Sequence, residues 1–152
     1  MSTRSYIGVK EGNGVSFIYC HNDGARVGKY LIKYFNDFDL AKKLVNLGSI
    51  SMIDSRKEVA KQQAKYVDSD VVEINGCYVV VYAGSRADGT YYERVKSYTS
   101  KEEMKREWDI EYRYLFDDGV WFVASRETDW DFVPVGGVNV EFKIVQEASR
   151  YM

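Results

Sequence analysis

The stretch from Asp109 to Ser125, "DIEYRYLFDDGVWFVAS", limits the possible folds more than any other part of this chain. Aromatic and branched residues flank Asp118-Gly119 on both sides. A tight two-residue hairpin turn needs two consecutive residues in the left-handed backbone region, and Asp-Gly supplies them at low cost. The same signal recurs at Asn75-Gly76 inside "VVEINGCYVVVYA", and "EGNG" (Glu11 to Gly14) separates β-rich runs at 6–10 and 15–21. Three hairpins argue for a sheet built from antiparallel neighbours rather than from alternating βαβ units.

Between the hairpins the periodicity changes. Val27, Tyr30, Leu31, Tyr34 and Phe35 recur at spacings of three and four, which predicts a helix to about Asn36. Asp37 or Asp39 can cap a second helix through "LAKKLVNL", with Gly48 ready to follow its end. The polar segment 54–66 reads as an exposed helix or a mobile connection. Beyond it, 84–90 reads as a loop and 91–98 as a strand. Ser100 and Glu103 form a capping box for a short helix at 101–108. "TDWDFVPVGG" is irregular, with Pro134 breaking pairing before a last strand at 138–145. The sum is roughly seven strands and three or four helices. We expect a single α+β domain over residues 1–152, with an antiparallel sheet built from hairpins and helices packed mainly on one face.

Composition narrows the function classes. A chain of 152 residues can bury one real core. Its 21 basic residues nearly cancel 23 acidic ones, for a net charge of −2, so no global field attracts nucleic acid, and binding of that kind would need a local patch. No apolar run approaches the roughly 20 residues that span a bilayer, and the first residues lack a signal-peptide core, so a soluble, intracellular protein is expected. Cys20 and Cys77 have neither zinc spacing nor the density of a disulfide scaffold and read as free thiols. The thirteen tyrosines and three tryptophans exceed what a core this size needs, and surplus aromatics serve as interface anchors.

Chemistry concentrates in "IYCHNDGARVGK", Ile18 to Lys29, which holds the only histidine. Cys20 and His21 project to opposite faces of a strand, which rules out a thiol–imidazole dyad between them. His21 and Asp23 could form an acid–base pair in which the carboxylate orients the imidazole. The plainer alternative is a turn in which Asn22 and Asp23 satisfy amides at the start of the next helix. Arg26 and Lys29 lie near that helix start, where the dipole favours anions, and Arg4 and Arg86 could add guanidinium forks for a phosphate-bearing ligand. No set of residues has zinc spacing; Asp117, Asp118, Glu127, Asp129 and Asp131 could gather hard oxygen ligands for magnesium or calcium, but Asp117-Asp118 is better explained as a hairpin turn and "TDWD" as a solvated acidic loop, and no metal or cofactor is expected.

Thr3-Arg4-Ser5, then Ile18 to His21 with Asp23-Gly24, Val27-Gly28, Leu31, Tyr34, Leu47-Gly48 and Ser51, and later Asp118-Gly119 with Trp121, form a pattern. In these residues the chain resembles a family of small proteins encoded by tailed bacteriophages, prophages and bacteria. The likeness covers the first third well, the region near residue 120 loosely, and the middle not at all. Asn22 stands where that pattern has tryptophan, and Ala25-Arg26 where it has Tyr-Pro, so a site built on that aromatic is not carried over. The resemblance implies a setting rather than a reaction: a non-structural phage accessory protein in the host cytoplasm, a host-takeover or anti-defence factor. It would bind a host or defence-system protein, or capture a nucleotide-like ligand with Arg4, His21, Asp23, Arg26, Lys29 and Arg86. The alternative is a hydrolase or transferase acting on a nucleotide or nucleic acid, with His21 and Asp23 as its acid–base pair.

Overall fold

The computed structural model describes residues 3–82, 96–98 and 110–135. Among these, the strands β1 (Ser5–Glu11), β2 (Gly14–Cys20), β3 (Ile50–Asp54), β4 (Asp70–Ile74), β5 (Cys77–Val81), β6 (Lys96–Tyr98), β7 (Tyr112–Asp117), β8 (Val120–Ser125) and β9 (Val133–Pro134) form one sheet. The helices are α1 (Gly24–Tyr34), α2 (Phe38–Val45) and α3 (Lys57–Tyr66). Strand order is β4-β5-β3-β2-β1-β7-β8-β9, with β6 paired to β2 off this path. The α+β class expected from the hairpins holds.

All three hairpins form. Asn75 and Gly76 take φ of 52° and 82°, and Asp118 and Gly119 take 50° and 83°, the paired left-handed turn residues that the sequence predicts. Asp37 caps α2 by accepting from the Leu40 amide at 2.8 Å. The segment expected to be helical or mobile from 54 to 66 is β3's last residue followed by α3. The helix at 101–108, the strand at 138–145 and the loop at 84–90 lie outside the described residues. Of the strand at 91–98, residues 96–98 pair with β2.

The sheet is mixed rather than purely antiparallel. β1 runs parallel to β7, and β2 parallel to β3, with α1 and α2 as the crossover between β2 and β3. The strand β3 carried no sequence signal, because all five residues of "ISMID" are buried and no polar alternation marks them. Helices α1 and α2 pack on one face, over Ile7, Val9, Ile18, Cys20, Tyr114 and Val123. The third helix, α3, sits on the opposite face, where Ala60 and Ala64 meet Met52 and Val80.

The sheet also forks and curls. β2 gives one edge to two strands: Val15 to Phe17 pair with β6, and Cys20 alone pairs with Ile50 of β3. The curl shows at the end of α1, where Asn75 Nδ2 donates to Tyr34 O at 2.8 Å and Trp121 Nε1 donates to Phe35 O at 2.7 Å. In a flat sheet β5 and β8 would stand five strand spacings apart, about 24 Å. Donors from both sides converge on adjacent carbonyls, so the sheet wraps α1 and closes the main core around it.

Candidate functional site

The junction between β2 and α1 is built by six hydrogen bonds. His21 N and Asn22 N donate to Ile50 O and Ser51 O, extending the short β2–β3 pairing. The Asn22 amide donates to Ser51 O at 3.0 Å and Ser51 Oγ at 3.1 Å, and Gln63 of α3 donates to the same Oγ at 3.0 Å. Gly24 N donates to Thr3 O at 2.9 Å, setting the start of α1 against the N-terminal end of β1.

At this junction strand alternation continues through His21. The Tyr19 hydroxyl and His21 Nδ1 share a hydrogen bond of 2.7 Å, with ring centroids 5.9 Å apart. Tyr19 packs with Tyr6 and Phe17 on the face opposite α1 and α2. The β1–β2 register ends at Ser5 opposite Cys20, and Arg4, the residue before it, lies close enough to His21 for its charge to act on the ring. Partial burial and the Arg4 charge together hold the imidazole below its ordinary value of 6.5. The unfolded chain therefore takes up this proton first. The stability contributed by a neutral His21 is present above about 6.5 and is lost as pH falls from there toward the folded value.

Asp23 is not His21's partner. It takes φ of 56°, and its carboxylate makes no capping bond to α1. Its charge acts on the Cys20 thiol and on Arg56, across the junction toward β3. The Asp23 side chain does not supply the cap expected of it; its backbone carbonyl starts the helix instead, accepting from Arg26 N and Val27 N at 2.8 and 3.2 Å. With Gly24 N on Thr3 O, three amides of the first turn are already engaged.

The six residues read as a site therefore divide. Arg4 and His21 meet on one face of the sheet. Arg26, half-buried, and Lys29, exposed, ride on α1, which packs on the other face. The Asp23 carboxylate bonds neither group, and Arg86 lies outside the described residues. Two groups escaped the sequence reading. Tyr19 was reachable through the period-two rule that puts residues i and i+2 on one face. Buried Asp54 accepts from Arg56 N at 2.8 Å and from its Nε and Nη2 at 3.0 Å each. That bidentate clamp leads from β3 into α3; burial first, and then the nearby Asp54 charge, raise the Tyr30 phenol above its usual value, with Arg56 acting in the opposite direction.

Neither thiol is poised for chemistry. Cys20 and Cys77 are free and buried, and burial pushes both up to about 12. Among the carboxylates weighed for metal, Asp117 pairs with Lys10 at 3.7 Å and Glu127 accepts from Ser125 Oγ at 2.8 Å. Among the described residues no helix is long and apolar enough to cross a membrane.

The fold and site define an α+β protein whose mixed, forked sheet curls around one helix and carries a Tyr19–His21–Arg4 group on its far face. No family model, curated protein or solved structure matches the chain.

Proposed function

We propose that this protein works by binding rather than by catalysis, as a bacteriophage accessory factor acting in the host cytoplasm on a host or defence-system protein. One observation carries the choice over an enzyme: His21 is bonded to a phenol at 2.7 Å, while Asp23, its candidate orienting carboxylate, is not among its partners. An acid–base pair needs the two in contact. The engaged amides at the start of α1 favour a protein partner over a nucleotide-like ligand, because a helix terminus cradles phosphate with free N–H groups. The phage setting rests on the sequence resemblance.

Thermal unfolding in the presence of linear and cyclic nucleotides separates these readings. A ligand at 100 times its Kd adds about 2.7 kcal/mol of stability, which raises Tm by roughly 5 to 10 °C for a chain of this size. We expect no such shift with any nucleotide. A shift of that size that disappears in Arg26→Ala or Lys29→Ala would establish nucleotide capture instead.

A further inference from the structure

The sheet closes around α1 and leaves one stripe of that helix uncovered. Gly24, Ala25, Val27, Gly28 and Leu31 are buried, while Lys29 and Lys33 are exposed and Arg26, Tyr30 and Tyr34 are half-buried. At about 100° per residue, Arg26, Tyr30 and Tyr34 form one row and Lys29 and Lys33 a second beside it, all five within about 140° of the helix circumference. The contacts agree with that placement. The Tyr30 and Tyr34 rings stack with centroids 6.4 Å apart, and Lys33 Nζ lies 5.4 Å from the centre of the Tyr34 ring. No carboxylate stands on α1, and Arg26, Lys29 and Lys33 are in no ion pair among the described residues. Asp23 and Asp37 lie off its two ends, and Asp54, whose charge reaches Tyr30, is buried and held by Arg56. In a chain of net charge −2 this is a face of one sign, and its like charges four residues apart work against the helix rather than for it.

We propose that this face of α1 is where the protein holds its partner, and that the surface it meets there is an acidic patch of another protein, a location that rests on the protein-binding reading of this chain. Arginine and tyrosine are enriched where proteins meet, and tyrosine gives a large contact area for little loss of freedom. Tyr30 and Tyr34 already pack against the main core, so less ordering is left to do on binding. The three cations supply the complementary charge that orients an acidic partner and speeds its approach. A nucleic-acid strand fits this face less well. Each tyrosine ring is already stacked on the other, and Lys33 lies over Tyr34, so a base could stack there only by displacing contacts the chain makes with itself.

NMR titration of the 15N-labelled full chain tests the location, using as probe a synthetic peptide of about 18 residues with glutamate and leucine at helical spacing. The amides of residues 26–34 and the ring signals of Tyr30 and Tyr34 should move ahead of the rest, and the affinity should fall as salt rises. The double variant Lys29→Glu, Lys33→Glu should bind at least about tenfold more weakly. Both side chains are exposed, so its melting temperature should match the parent and show that it is folded. No binding, shifts centred outside residues 26–34, parental affinity in the double variant, or equally tight binding of an oligothymidylate at the same residues would each overturn the location. Adsorption of bacterial cytosolic proteins to the immobilised parent and double variant separates this from the broader reading. Proteins held by the parent and lost by the variant are expected. Proteins held equally by both would keep the protein-binding reading and remove α1 from it, and none held by either would overturn that reading itself.

Discussion

Replacing Trp121 by alanine should lower the free energy of unfolding by about 3 to 5 kcal/mol. The side chain is 3% exposed, packs edge-on against Phe116 with centroids 5.2 Å apart, and donates to Phe35 O at the end of α1. Its removal opens a cavity in the core that the curled sheet closes around the helix, and it leaves a buried carbonyl without that donor. Trp121→Phe keeps most of the volume and loses the N–H, so a smaller cost of about 1 to 3 kcal/mol is expected. Urea unfolding measures both as a fall in the midpoint at constant slope. A loss under about 1 kcal/mol for the alanine variant would mean that Trp121 does not brace α1 as described.

The second large effect is expected at Gly24. A Cβ there would lie 2.9 Å from Thr3 O and 3.2 Å from Arg4 O. Both are backbone atoms, and Arg4 O is fixed by the Glu111 and Tyr112 amides at 3.0 and 3.2 Å. Gly24→Ala should therefore destabilise by about 1 to 3 kcal/mol, because β1 or the start of α1 must shift. The sign is the test: glycine to alanine in a helix with room is stabilising by about 0.5 to 1 kcal/mol. Gained stability would show that α1 does not seat on the end of β1 as closely as the contacts indicate.

What could be read from the residues was local. Asn75-Gly76 and Asp118-Gly119 encode their turns in two residues, and Asp37 with the leucines of α2 encodes a capped amphipathic helix. The parallel pairings of β1 with β7 and β2 with β3 join segments far apart in the chain, and no local period records them. Fully buried β3 gave no alternation to detect. Alternation separates Cys20 from His21, and it equally brings Tyr19 to His21, yet chemistry pointed to the carboxylate of Asp23. Asp23 takes a left-handed backbone, and its carboxylate bonds neither His21 nor the amides of α1. Arg26 and Lys29 were placed correctly on a helix start, but α1 lies across the sheet from His21, a separation that only the long-range topology determines.

The central claim is that His21 belongs with Tyr19 and Arg4 rather than with Asp23, and NMR titration of the single imidazole tests it most directly. The midpoint should lie below 6.5, rise toward the ordinary value in Arg4→Gln as a neighbouring positive charge is removed, and stay in place in Asp23→Asn. A midpoint above 6.5 that falls in Asp23→Asn would contradict the account and restore the His21–Asp23 pair as a candidate acid–base centre.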